Sequence, residues 1–304
     1  MCGLVHMLSA ILFCVALAAV ILQTDETCNS GFSIGGNILS NLSYADDIAL
    51  TNSCPHKLQQ FVDELAKNAK EIGLEINLGK TQCMSTEKVQ HPLNMSIYGK
   101  PIKQVTEFIY LGHKLTSSNN HEAALKHRIG LGWAAFQKNS TLLKSKRVPI
   151  SVKAKVYLIY VLPVVLYGLD CLTWTKALSE RVDVFQNHIM RFITGHRLSD
   201  KIRITKLREK TSLLPLFDKI KSKTLKLFGH VKRSSVGMSK VCFEGLIEGK
   251  RSRGKPKQRW RDKIPSWSNL SDWNTINQCA LDRKKWRAIS FVGSYSAIGG
   301  NSDT

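Results

Sequence analysis

Two adjacent acids, Asp46 and Asp47, stand between short apolar runs, with Ile38, Leu39 and Leu42 before them and Ile48, Ala49 and Leu50 after. This pattern predicts a β-hairpin carrying carboxylates at its turn. Neighbouring carboxylates in an apolar setting repel each other and resist burial. A divalent cation removes that cost, because Mg²⁺ takes carboxylate oxygens and inverts the local electrostatics. In two-metal phosphoryl transfer such carboxylates hold ions that activate an attacking 3′-hydroxyl and stabilise the leaving pyrophosphate. The bland alternative is a solvated Asp-Asp turn.

The elements that would position the pair follow in order. Leu58, Phe61, Val62, Leu65, Ala66, Ala69 and Ile72 form an i, i+3, i+4 stripe, which predicts an amphipathic helix. Gly73 sits where a helix C-cap glycine belongs. Leu74 to Leu78 alternates as a half-buried strand does. A further strand pair is expected around Gly99-Lys100 and Phe108 to Leu111. The class is therefore α+β, a sheet with helices on one face, followed by a helical region. In that second half, Ala123 to Leu143 is helical in period. Val156 to Leu169 is a dense apolar run interrupted by Pro163. It is too short to span a bilayer and reads as a Pro-kinked core helix.

Leu8 to Leu22 is almost unbroken apolar sequence. It lacks the Lys or Arg that precedes a signal peptide's apolar core, and it is short for a span. A buried helix of a globular domain is the favoured reading, with a signal peptide or membrane anchor as the alternative.

The formal net charge is +21, and the excess is uneven. Between Asp200 and Lys263, 20 Lys and Arg face 6 Asp and Glu, a surplus of 14 in one region. Such an excess favours an anionic partner, nucleic acid or an acidic membrane surface. The 8 cysteines are scattered with no C-x-x-C pair. That pattern argues against a zinc site and for reduced, buried thiols of an intracellular protein.

Several strings extend this reading. Tyr44-Ala45-Asp46-Asp47 resembles the Y/F-A-D-D box of LINE-type (non-LTR) retrotransposon reverse transcriptases. Leu8-Ser9, Leu12-Phe13 and Leu17 resemble that family's L-S-x-x-L-F helix. Ile72-Gly73-Leu74-Glu75-Ile76-Asn77 with Lys80-Thr81 resembles the box G-L-x-I-N-x-x-K-T. Phe108-Ile109-Tyr110-Leu111-Gly112 resembles the F-x-Y-L-G primer grip. Lys153 to Tyr157, Pro163, Leu166-Tyr167-Gly168 and Trp174 are similar to the helical thumb region. Leu227 to Arg233 resembles an f-G-H-v-x-R element. Gly249 to Asp262 resembles the basic run G-x-R-x-R-G-R-P-x-x-R-W. The likeness covers roughly Leu8 to Phe291.

The resemblance implies a partial polymerase palm over residues 1–115 and a thumb-like helical region over 116–200. A basic nucleic-acid-binding region over 201–292 and a disordered tail over 293–304 would follow. It implies Mg²⁺ held by Asp46 and Asp47, with RNA template and DNA primer as partners. Lys80 would neutralise triphosphate charge or protonate pyrophosphate, unless it is simply a surface lysine. Phe108, Tyr110, Leu111 and Gly112 would position the primer end. Arg251, Arg253, Lys255, Lys257, Arg259 and Arg261 would contact phosphates from an extended loop, with Trp260 free to stack on a base. A solvated linker is the alternative for that loop.

The family also carries a third palm carboxylate upstream of the L-S helix. Here seven residues precede Leu8 and none is acidic, while Asp25 and Glu26 follow the helix. Val5-His6-Met7 stands where the family has Gln-Gly. The expectation is a chain that starts inside the palm, lacks the fingers and is catalytically incomplete alone. A non-enzymatic nucleic-acid-binding remnant and a basic secreted or membrane-tethered protein are the competing readings. An intracellular location, nuclear or cytoplasmic, goes with the first two.

Overall fold

The computed structural model describes residues 2–86, 92–235, 237–244 and 258–292. The chain divides into two compact units, Met1–Asn119 with Val236–Ser252, and Asn120–Ser235 with Arg253–Thr304. The class is α+β, as expected, with helices dominating.

The first unit opens with helix α1 (Cys2–Cys28). Among the described residues, five two-stranded ladders follow rather than one continuous sheet. β1 (Phe32–Ile34) pairs with β2 (Asn37–Leu39), and β3 (Asn41–Tyr44) with β4 (Asp47–Leu50). Helix α2 (Pro55–Glu71) comes next. β5 (Gln82–Cys83) runs parallel to β8 (Lys103–Gln104). β6 (Ser96–Ile97) pairs with β7 (Lys100–Pro101), and β9 (Glu107–Tyr110) with β10 (His113–Thr116), both antiparallel. Three of the hairpin turns have two left-handed residues: Gly35-Gly36, Tyr98-Gly99 and Leu111-Gly112. That backbone matches the right-handed twist of the flanking strands.

Helix α2 forms where the apolar stripe predicts it. Pro55 begins it without losing a needed hydrogen bond, since the first-turn N–H groups have no helical acceptor. At its end Gly73, at φ +79°, donates to Lys70 and Leu74 donates to Ala69 at 2.9 Å. These two bonds close the helix as a Schellman motif. Leu65 and Ala69 pack on Leu17, Val20 and Ile21 of α1, while Val62 and Ala66 pack on Met95 and Ile97. Gln59 bonds both main-chain groups of Ser96, at 2.8 and 2.9 Å, and so ties α2 to β6.

Two expectations are corrected in this unit. Leu74 to Leu78 alternates in burial but forms no strand. The Leu74 amide is spent on the helix cap, and the Asn77 carbonyl accepts from Lys80 and Thr81 to make a turn. The segment Leu8 to Leu22 is helical but is not a buried core helix. Leu17, Val20 and Ile21 are buried, whereas Leu8, Leu12 and Val15 are 57%, 61% and 61% exposed. Leu8–Cys28 is long and apolar enough to cross a membrane by length and composition.

The second unit is helical. α3 (His121–Lys138) is capped by Asn120, whose side chain accepts from Glu122 and Ala123. α4 (Ser140–Lys144) and α5 (Ile150–Val156) lead into a five-residue π turn, Tyr157–Val161, and then α6 (Leu162–Leu166). The kink foreseen at Pro163 takes this form because proline has no N–H to give to the preceding turn. α7 (Lys176–Thr194), α8 (Ile204–Thr211) and α9 (Leu216–Arg233) complete the main core. Tyr157, Val161, Val165, Val182, Ile189 and Ile220 are fully buried there. α10 (Met238–Glu244) belongs to the first unit. α11 (Ile264–Ser268), α12 (Trp273–Leu281) and α13 (Arg283–Val292) pack against α9 in the second.

A Cβ on Gly229 of α9 would collide with the indole of Trp286. That indole is 1% exposed and donates to the Leu225 carbonyl at 2.6 Å, and Arg233 donates to the Ala280 carbonyl at 2.6 Å. The string Leu227 to Arg233 is thus the seat on which the C-terminal helices dock.

Candidate functional site

The Asp pair lies on the hairpin β3–β4. Tyr44 faces Asp47 in register, so Ala45 and Asp46 make the turn. Ala45 takes φ +52°, a region costly for a residue with a Cβ. That strain is accepted where a two-residue connection is required. Asp46 and Asp47 are both exposed, and Tyr44 is 67% exposed. The inner edge, Ile48 and Leu50, leans on the α1–α2 core. The run after the acids therefore anchors the hairpin, while Ile38 and Leu42 before them are exposed, and the carboxylates project into solvent instead of lying in the apolar setting their neighbours suggest.

The F-x-Y-L-G segment meets this hairpin. Tyr110, at the end of β9, donates its hydroxyl to the Leu42 carbonyl of β3 at 2.8 Å. Burial raises the Tyr110 phenol above its ordinary value, and the negative charge of Asp47 raises it further. Phe108 is half-buried on the same strand, and Leu111 and Gly112 form the β9–β10 turn. Lys114 and Glu107 pair across that hairpin at 2.6 Å.

Lys80 stands elsewhere. Its main-chain N–H donates to Asn77 and its side chain is exposed. Among the described residues, no hydrogen bond or ion pair joins Lys80 to Asp46 or Asp47. Asp25 accepts from Asn41 at 2.8 Å, at the end of β3 away from the Asp pair. Its other oxygen is buried without a hydrogen-bond partner. Among the described residues no group of three His, Cys, Asp or Glu could hold a metal ion. The two carboxylates fit Mg²⁺ as that ion is bound beside substrate phosphates, through one or two carboxylates with water completing its shell.

Of the expected nucleic-acid contacts, Arg251, Arg253, Lys255 and Lys257 lie outside the described residues. Arg259 begins a 3₁₀ turn, Trp260–Lys263, with its N–H bonded to the Asp262 carboxylate at 2.7 Å. Arg261 is exposed. Trp260 is half-buried and donates its indole N–H to the Asp170 carbonyl at 2.7 Å. It anchors this turn instead of standing free to stack on a base. The cysteines also differ from expectation. Cys14, Cys171 and Cys242 are exposed, the other described ones partly so, and all are free thiols.

Sequence reasoning missed a groove of about 790 Å³ between α3 and α7. Leu125, Ile129, Trp133, Val184 and His188 line it, along with the Glu122–Arg181 ion pair at 2.7 Å. No motif marks it, because its walls come from two helices far apart in the chain.

Two likenesses to known proteins accompany this geometry. The family model described as reverse transcriptase (RNA-dependent DNA polymerase) matches residues 6–115. A transposon-derived protein of Caenorhabditis elegans is 29% identical over 278 residues, covering 84% of this chain and 96% of its own length.

Proposed function

We propose, for a chain whose residues 6–115 belong to the reverse transcriptase family, an origin in a LINE-type retrotransposon and the metal-binding hairpin of an RNA-directed DNA polymerase. The family acts on nucleic acid and uses divalent metal ions. In this reading Asp46 and Asp47 hold Mg²⁺, and an RNA template paired to a DNA primer is the partner. Bound there, the ion would lower the pKa of the attacking hydroxyl and offset charge on the leaving pyrophosphate.

The observation that carries the reading is the Tyr110–Leu42 hydrogen bond. It seats the segment resembling a primer grip on the hairpin that bears the acids. A primer end held by Phe108, Tyr110, Leu111 and Gly112 would be aligned beside Asp46 and Asp47, and alignment of that kind supplies much of the rate in phosphoryl transfer. Lys80 would act on the triphosphate only if substrate binding brings it to the pair. Its flexible four-carbon stem gives it reach.

The chain on its own is proposed to be inactive. Two carboxylates serve one ion well, and two-ion transfer draws on a further carboxylate ligand that the described residues do not place at the hairpin. A nucleic-acid-binding remnant without catalysis is the second reading. The surplus of 14 positive charges between Asp200 and Lys263 favours it. Both readings place the chain inside the cell, with its nucleic-acid partner.

Primer extension on an RNA template with Mg²⁺, beside the Asp46→Ala, Asp47→Ala variant, tests the first reading. No extension by the chain alone, with extension gained on adding a separate segment that carries a further carboxylate and lost in the variant, is the expected result. Salt-sensitive primer-template binding without extension under either condition leaves the second reading. Neither binding nor extension overturns both.

A further inference from the structure

Beyond the hairpin, the second unit carries a pocket of about 470 Å³ at the junction between α7 and α8. Lys201, Arg203, Lys206 and Lys210 line it, with Asp200 the one acid and Ile202 the one apolar side chain. Four cations converge on one concavity that a single carboxylate cannot balance.

That carboxylate is already engaged. Asp200 accepts the Arg197 N–H at 2.8 Å and the Ser199 hydroxyl at 3.3 Å, and His196 lies 3.7 Å away. The Arg197 hydrogen bond, with lesser help from neighbouring groups, holds its carboxyl below the ordinary value. Its oxygens fasten the 3₁₀ turn Leu198–Asp200 and are not directed to the lysines. Lys210 lies 3.3 Å from the His196 ring nitrogen, which then accepts from the ammonium and keeps that charge in place. Among the described residues, no ion pair involves Lys201, Arg203 or Lys206. Like charges held close together, with a weakly opposed field, attract an anion from solution.

The backbone supports the same chemistry. Lys201 is held at φ +49°, so the turn presents it from a conformation that lysine rarely takes. Arg203 stands at the start of α8, where no side chain caps the first turn. The uncapped start of that helix carries partial positive charge next to Arg203, one of the pocket's cations.

We propose that this pocket binds a phosphate of a nucleic-acid backbone, independently of base sequence. The proposal deepens the nucleic-acid reading above and rests on it. A polyanion is favoured over a free phosphate because the basic surplus extends along the whole segment from Asp200 to Lys263, well past the pocket. Base readout is not supported, since the residues lining the pocket include no aromatic platform and no side-chain amide that could recognise a base edge.

The test is salt-dependent binding of a fluorescein-labelled single-stranded RNA by the full chain. The variant is Lys206→Gln with Lys210→Gln, and Lys176→Gln with Lys284→Gln is the control. All four lysines are exposed, so folding is retained, and melting curves confirm it. The slope of log K against log salt should fall by about 1.4 in the pocket variant, roughly 0.7 for each lysine neutralised, and change little in the control. Equal slopes in the two variants, with wild-type binding intact, overturn the pocket while leaving the nucleic-acid reading in place. Saturable uptake of inorganic phosphate that the pocket variant abolishes, with RNA binding unchanged, also overturns it by identifying a small-anion site. No RNA binding by the wild-type chain overturns the nucleic-acid reading and the pocket together.

Discussion

The hydroxyl of Tyr110 donates to the main-chain carbonyl of Leu42 at 2.8 Å, so a residue of one hairpin holds a strand of another 68 positions earlier. The same phenol feels the charge of Asp47, the residue in register with Tyr44 across the β3–β4 turn. One side chain thus reports on both the position and the charge of the acidic hairpin.

Tyr110→Phe should remove the hydrogen bond and leave the ring. The expected cost is about 1 kcal/mol or less, because the bond is partly exposed to water. Urea denaturation followed by far-UV circular dichroism would show a lower midpoint with an unchanged slope. An unchanged midpoint would mean that the two hairpins are held together by something else.

The titration of Tyr110 gives a second test. Asp47→Asn should move its pKa down toward the ordinary value, with the shift from burial left in place. Tyrosinate absorbance, taken as the difference from Tyr110→Phe, isolates the group. The sign for stability follows from linkage. The folded pKa lies above the unfolded value of 10.0, so the contribution is complete below pH 10 and disappears as pH rises through the folded pKa.

Gly73→Ala isolates backbone conformation. Nothing lies within 4 Å of where the new Cβ would sit, but φ is +79°. Destabilisation of about 1 kcal/mol is expected, from the left-handed strain alone. Gly73→Asn should recover part of it, since asparagine tolerates that region. Thermal melts of the three proteins give the order.

Gly229→Ala isolates packing instead. The added methyl must displace the Trp286 indole and break its bond to Leu225. Overpacking of this kind costs about 1–3 kcal/mol, offset by less than about 1 kcal/mol of helix propensity. Faster proteolytic cleavage after Leu281, with red-shifted tryptophan emission, would mark release of α12 and α13.

Acid should loosen the second unit first at its caps. Main-chain hydrogen bonds hold the carboxyls of Asp200, Asp272 and Asp282 below the ordinary value of 3.8. Groups depressed in this way stabilise the fold above pH 3.8, and the contribution is lost as pH falls through their lower folded values. Asp272→Asn and Asp282→Asn should lower the melting temperature somewhat at pH 7 and flatten its pH dependence below pH 4.

The parts legible in the sequence are those that local chemistry decides. The hairpin bearing Asp46 and Asp47, the α2 stripe and the Gly73 cap each rest on neighbours within one helical turn or one hairpin. Leu74 to Leu78 misled because alternation reports which side chains are covered and says nothing of whether a partner strand exists. Trp260 misled in the same way: its indole meets Asp170, 90 residues earlier, and no local pattern contains that bond. The basic pocket was hidden in a general surplus of charge, since composition counts cations without saying which of them converge.

The two-residue turns at Gly35-Gly36, Ala45-Asp46, Tyr98-Gly99 and Leu111-Gly112 bear on how the first unit comes together. Each closes a ladder between residues close along the chain, so little loop entropy opposes its formation. Such pairings form within microseconds, well before distant segments meet. Contacts with α1 and α2 join segments farther apart in the chain and carry the larger closure cost. Tyr110–Leu42 joins two such hairpins, so it can close only when both are in place.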